Sequence, residues 1–139
     1  RPLPTRREES MLLLGASAIE ELLPLAKGIE VVEQAMRALS RGQVLAPLRT
    51  VMPLAQGNAM GIMPGALLGE GCFGLKVLAL YPGNGAQGLP SHGGMVLLFD
   101  AATGAPTALL ESHSLTALRT AAASAVTTTS RFMAVSSSG

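Results

Sequence analysis

The side chains best placed to do chemistry are three cations set in apolar surroundings. Arg49 lies in LRTVMPL, Lys76 in FGLKVLAL and Arg119 in the alanine-rich stretch LTALRTAAASA. Acidic partners are scarce: Glu70 is the one acidic residue between Gln34 and Phe99, and Arg119 is the one formal charge, histidine aside, between Ser112 and Ser130. A buried cation without a partner is costly, so such cations would converge on an anion brought by a ligand. Arginine grips a carboxylate or phosphate through two parallel N–H bonds, and lysine adds a compact point charge. The same pattern is also met by side chains whose charged ends reach water, and half-exposed strands carry such charges.

Other motifs offer less. Gly83-Asn-Gly85-Ala-Gln-Gly88 has the G-x-G-x-x-G spacing. As a dinucleotide signal it needs a helix opening at the last glycine and an acid about 20 residues on. Leu89-Pro90-Ser91-His92-Gly93-Gly94 follows instead, without helical period, and the nearest downstream acid is Asp100. The segment therefore reads as a loop. His92 in that loop is open to two readings, plain solvent exposure and contact with a ligand phosphate or ribose. His113 is isolated, no second histidine stands at metal-ligand spacing, and no metal is expected. Cys72, the one cysteine, excludes an internal disulfide and reads as a buried or half-buried strand residue. No G-x-S-x-G motif is present.

The elements that must position these residues belong to one domain. The chain has 139 residues, 48% of them hydrophobic, and a mean hydropathy of +0.41, enough for a core and unlike a disordered chain. Ten basic residues against nine acidic, with 3% aromatics, give no footprint for nucleic acid. No apolar run reaches the roughly 18–20 residues of a membrane span and no secretory signal is visible, so a cytoplasmic protein with no membrane partner is expected.

Met11–Leu14 reads as an edge strand. Ser17-Ala-Ile-Glu20 has capping-box spacing, predicting a short helix that ends at Pro24. Ile29, Val32, Met36 and Leu39 set a helix over 28–41, with Glu33 and Arg37 paired on its wet face and Gly42 as the stop. Strands follow at 47–54, 59–64, 72–81, 94–99 and 106–111, the last two joined by a hairpin loop at Asp100–Gly104. A helix over 114–130, capped by Ser112 or Ser114, buries Leu115, Leu118, Ala122 and Val126. The sum is an α+β fold, a mostly antiparallel or mixed sheet with helices packed on it. Residues 1–10 read as a flexible arm, 11–135 as the domain and 136–139 as a linker-like tail.

Taken together, the blocks LRT, MPG, GLKV, LPSH and ALRTAAASA resemble, in order and over about residues 11–135, the ornithine cyclodeaminase/mu-crystallin family. The resemblance implies an NAD(P)-dependent, usually dimeric enzyme. Its N-terminal half is a substrate-binding and dimerisation domain, and a Rossmann domain follows. Arg49, Lys76 and Arg119 match the family's substrate-carboxylate cations, Met63 a wall of the pocket, and Ser91, His92 and Arg119 positions near the nicotinamide. Three departures stand out. Gly61 replaces a glutamate found in ornithine cyclodeaminases proper, which favours the ketimine-reductase side of the family over lysis of ornithine. Gly93 replaces a glutamine common in mu-crystallin-like members. The Rossmann domain, its glycine-rich loop and its catalytic aspartate are absent from these residues, so no catalytic residue is assigned and the chain alone is expected to be inactive. The expected function is thus the carboxylate-binding part of an enzyme for small amino or cyclic imino acids. The alternative is a non-catalytic carboxylate-binding or dimerisation module.

Overall fold

The computed structural model describes residues 11–136. The expected arm and residues 137–139 lie outside them. Strands β1 (Leu12–Leu14), β2 (Val44–Leu45), β3 (Thr50–Pro53), β4 (Ala59–Leu67), β5 (Cys72–Leu80), β6 (His92–Asp100) and β7 (Pro106–Glu111) form one sheet in the order β1-β7-β6-β5-β4-β2. β1 runs parallel to β7, and the other pairings are antiparallel. β3 shares an edge of β4 with β2: β2 pairs at Ala66–Leu67 and β3 at Ala59–Ile62. The expected α+β class with a mixed sheet is what the chain forms.

Turn chemistry sets the register. Between β6 and β7, Asp100 Oδ1 accepts from the N–H of Ala102 and Thr103 and from the Thr103 hydroxyl at 2.7–2.9 Å, and Gly104 takes φ +70°. Only glycine adopts that backbone cheaply. The period of two then sorts β5: Gly74, Lys76 and Leu78 fall on one face, and Phe73, Leu75 and Val77 on the other, opposite Phe99, Leu97 and Met95. Phe73 and Phe99 stack with ring centroids 5.1 Å apart.

Helices α1 (Ala16–Leu22), α2 (Leu25–Ser40) and α3 (Ser112–Ser136) complete the domain. α3 packs on β6, α1 on β7 and α3, and α2 on α3. The core sits where these meet: Ile19 is 3% exposed and Ala122 fully buried. A buried side chain the size of isoleucine contributes roughly 1.5–3 kcal/mol. α2 comes close to α3 because Gly28 has no side chain; a Cβ there would stand 3.3 Å from Leu118 Cγ. Glu33 and Arg37 pair at 2.6 Å, as their spacing predicts.

Several local expectations change. Ser17 does not cap α1: the N-cap is Gly15, without a side-chain bond, because the helix starts at once from the end of β1 and Ser17 is already inside it. α2 begins at Leu25 behind Pro24, three residues before the predicted start. Cys72 is exposed rather than buried, since it opens β5 beside the turn at Gly69–Gly71. The strand predicted over 47–54 forms only from Thr50. Ser136, the first residue of the expected tail, closes α3. The Gly83–Gly88 segment forms short 3-10 turns and opens no α-helix, as the loop reading expects.

Gly28→Leu should push α2 off α3 and cost about 1–3 kcal/mol by overpacking, read as a lower urea midpoint with an unchanged slope. An unchanged midpoint would contradict this packing.

Candidate functional site

Lys76 lies in the middle of β5, in a row with Met63 on β4 and Val96 on β6, on the face that α3 covers. Its Nζ donates to Thr116 Oγ1 at 2.7 Å, and the Thr116 hydroxyl donates to the Ser112 carbonyl at 2.6 Å. Thr116 thus accepts the ammonium while anchored to its own helix. Among the described residues no acid pairs with Lys76; the ion pairs there are Lys27–Glu30 and Arg37–Glu33. Burial pulls the Lys76 pKa below its usual value and the Arg119 charge adds to this, while Glu111 opposes it. An ammonium carries three donors, so Lys76 has protons to offer beyond the bond to Thr116.

Lys76 opens into a cavity of about 520 Å³ between the sheet and the first turns of α3. Leu78, His92 and Gly93 line it from the sheet, and His113, Thr116 and Thr120 from the helix. An adjoining groove, lined by Arg119, shares Thr120 and Ser124 with it. Thr116, Thr120, Ser124 and Thr128 each donate to the carbonyl four residues earlier, at 2.6–3.0 Å. That tethers the hydroxyls to the helix and leaves their lone pairs as acceptors.

The start of α3 is held by a residue outside it. Glu111 accepts from the backbone N–H of His113 and, at 2.9 Å, from that of Ser114. The expected caps, Ser112 and Ser114, do not serve, because Ser112 is already the first helical residue and is buried. The Ser114 N–H, together with the N–H and charge of His113, holds the Glu111 carboxyl below its usual range against a smaller opposing effect of burial.

Lys76 and His92 share the cavity, and Arg119 is close enough to act on Lys76 electrostatically. Ser91 is exposed, with Oγ 3.4 Å from His92 Nδ1. Arg49 is exposed just ahead of β3, where it continues the row towards Met63, itself 40% exposed. Neither Arg49 nor Met63 lines the cavity. Of the three cations, Lys76 is half-buried, whereas Arg49 and Arg119 are exposed.

Two residues of the site are not legible in the sequence. Thr116 carries no charge and its role appears only once α3 lies over β5. His113, isolated by spacing, comes within 6.0 Å of His92, ring centre to ring centre. A signal exists: counting outward from the Asp100–Gly104 turn places the start of β6 beside the start of α3.

A Cβ at Gly93 would meet nothing within 4 Å, whereas one at Gly94 would collide with the backbone of Val77 and Leu78. The described residues show no glycine-rich turn opening a helix that could seat the phosphates.

The profile of the ornithine cyclodeaminase/mu-crystallin family matches residues 8–139. The chain is 36% identical over 119 residues to Delta(1)-pyrroline-2-carboxylate reductase of Bacillus cereus (strain ZK / E33L), covering 85% of this chain and 37% of that protein. It is 36% identical over 104 residues to ketimine reductase mu-crystallin of Rattus norvegicus, covering 72% and 33%. Among solved structures, the Thermococcus litoralis Delta(1)-pyrroline-2-carboxylate reductase in complex with NADH and L-proline aligns with a TM-score of 0.76 and 42% identity, over 82% of this chain and 36% of that one. The chain thus spans about a third of the length of the relatives it matches. Nicotinamide cofactors are used within the family.

A carboxylate whose folded pKa is depressed stabilises the fold above its ordinary pKa, and that stabilisation is lost as pH falls through the folded value. Glu111→Gln should therefore lower the urea midpoint at pH 7, and the gap from the unsubstituted chain should narrow as pH falls below the usual carboxylate range. A gap that persists unchanged at pH 3 would contradict the capping role.

Proposed function

The chain belongs to the ornithine cyclodeaminase/mu-crystallin family, and from that premise we propose that it forms the carboxylate-binding part of an NAD(P)-dependent enzyme for small amino or cyclic imino acids, of the imine-reducing type. The observation that carries this reading is the Lys76 ammonium, half-buried at a cavity with a hydroxyl and, among the described residues, no acid for a partner.

The substrate carboxylate binds at Lys76, with Arg119 from α3 closing the clamp. Arg49 joins from the β3 edge by resemblance to the family, and Met63 forms the wall beside it. Ser91, His92 and Arg119 hold the nicotinamide end of the cofactor over Gly93. The bound cofactor supplies or accepts a hydride. The chain's own residues fix the distance and angle at which the substrate carbon meets it, and such positioning can supply a large share of the barrier reduction. The helix wall of small residues leaves room for both partners.

Gly61 favours imine reduction over ornithine lysis. It is buried on β4, where a Cβ would stand 3.2 Å from Leu78 Cγ, and Leu78 lines the cavity. A glutamate at 61 would have to displace Leu78 to reach the substrate, so here that wall stays apolar.

A homodimer is part of the proposal. The sheet face opposite Lys76 carries Phe73, Leu75 and Val77 against Phe99, Leu97 and Met95, and a contiguous apolar face of this kind marks an association surface.

In the full-length polypeptide, Lys76→Met and Arg119→Ala should each raise the KM for pyrroline-2-carboxylate about 10–100-fold, the equivalent of one charge-assisted hydrogen bond at roughly 1.5–3 kcal/mol. Unaltered KM and kcat in both would sink the clamp. Val77→Lys should convert a dimer into a monomer by light scattering, and an unshifted mass would reject this face as the interface.

A further inference from the structure

The Gly83–Gly88 segment lies in the connection from β5 to β6, and the residue that opens β6, His92, lines the cavity together with Lys76. From Tyr81 to Gly93 every residue is exposed except Asn84, which is half-buried. Asn84 is bonded on three sides. Its backbone N–H donates to the Tyr81 carbonyl at 3.0 Å, its backbone carbonyl accepts from the Leu89 N–H at 3.1 Å, and its side-chain Nδ2 donates to the Pro90 carbonyl at 2.9 Å. We propose that Asn84 is a positioning residue: its side-chain amide holds Leu89–Pro90 against the loop and so sets where Ser91 and His92 stand at the cavity. The consequence for the cofactor rests on the reading that Ser91 and His92 hold its nicotinamide end.

The connection needs such a hold. Gly83, Gly85 and Gly88 give it a backbone with many accessible conformations, and Gly88 takes φ +68° where the chain turns back towards β6. The Tyr81 N–H donates to the Ser91 carbonyl at 2.7 Å, which extends the β5–β6 ladder by one bond beyond the Leu80–His92 pair. Between that bond and the 3-10 turns lie Leu89 and Pro90. Proline has no N–H, so its carbonyl is the one backbone group by which it can be tied. Among the described residues, the hydrogen bonds of Leu89 and Pro90 run to Asn84. The bond to Pro90 requires a donor at the end of a short side chain, and an amide supplies it. An aspartate of the same shape would turn an oxygen towards the Pro90 carbonyl instead. Asn84 thus joins the end of β5, through Tyr81, to the two residues that lead into Ser91 and His92.

The test uses the full-length polypeptide with Asn84→Ala, Asn84→Asp and His92→Leu. Asn84→Asp keeps the size of the side chain, so the test stands even if Asn84→Ala fails to fold. The first readout needs no cofactor. The C2–H proton signal of His92 is the one lost in His92→Leu, and it should shift in both Asn84 variants. A His92 signal unmoved in both overturns the proposal. The second readout is the binding of NAD(P)H and of the matching ADP-ribose form, which lacks the nicotinamide. The Asn84 variants and His92→Leu should each bind NAD(P)H about three- to ten-fold more weakly, the worth of one hydrogen bond, with affinity for the ADP-ribose form unchanged. An equal loss for the ADP-ribose form marks general damage to the fold and overturns the proposal. So does a loss of NAD(P)H affinity in His92→Leu that neither Asn84 variant shares. A shifted His92 signal, with NAD(P)H affinity unchanged in all three variants, upholds Asn84 as the residue that sets His92 and removes the nicotinamide role of His92 instead.

Discussion

The bond from Lys76 Nζ to Thr116 Oγ1 ties the sheet to its main helix. It places an ammonium under α3, in a cavity that holds no described acid to neutralise it. Lysine is rarely drawn into such surroundings without a partner. Here a hydroxyl satisfies one proton while leaving the charge in place. That is a poor arrangement for stability alone, because a neutral acceptor does less than a carboxylate to offset the loss of water. It is a good arrangement for receiving a carboxylate that arrives with a ligand.

The rest of the domain can be understood as what keeps that helix over that lysine. Glu111 fixes where α3 begins, one turn before Thr116. Gly28 and Leu118 let α2 press on the far side of α3. Ala122 and Ile19 close the core behind it. The β5–β6 register puts Lys76 and His92 on the same face, and glycine at 94 lets the two strands come close. Each device is local, and each acts on the shape of one cavity.

Much of this is legible in the residues themselves. Apolar runs punctuated by glycine and proline locate the long strands, and Asp100 with Gly104 locates the hairpin. The shortage of acids points to Lys76, together with Arg49 and Arg119. What a linear reading lacks is the third dimension of two contacts. Lys76 and Thr116 are 40 residues apart, and neither spacing nor charge links them until α3 is laid across the sheet. His113 looks solitary because its partner lies on the other arm of a hairpin. Charge scarcity is also too blunt a guide to burial: it treats Arg49 and Arg119 like Lys76, yet both lie at the surface. The N-caps mislead for a related reason. Serine is the better cap by preference, but the end of each preceding strand decides where the helix can start.

The most direct test of the account is a crystal structure of the full-length polypeptide with pyrrole-2-carboxylate, an unreactive planar acid. The account predicts a carboxylate oxygen at hydrogen-bond distance, about 2.7–3.2 Å, from Lys76 Nζ, with the Thr116 bond retained and the Arg119 guanidinium turned towards the same carboxylate. Acid bound elsewhere, with Lys76 still held by Thr116 alone, would contradict it.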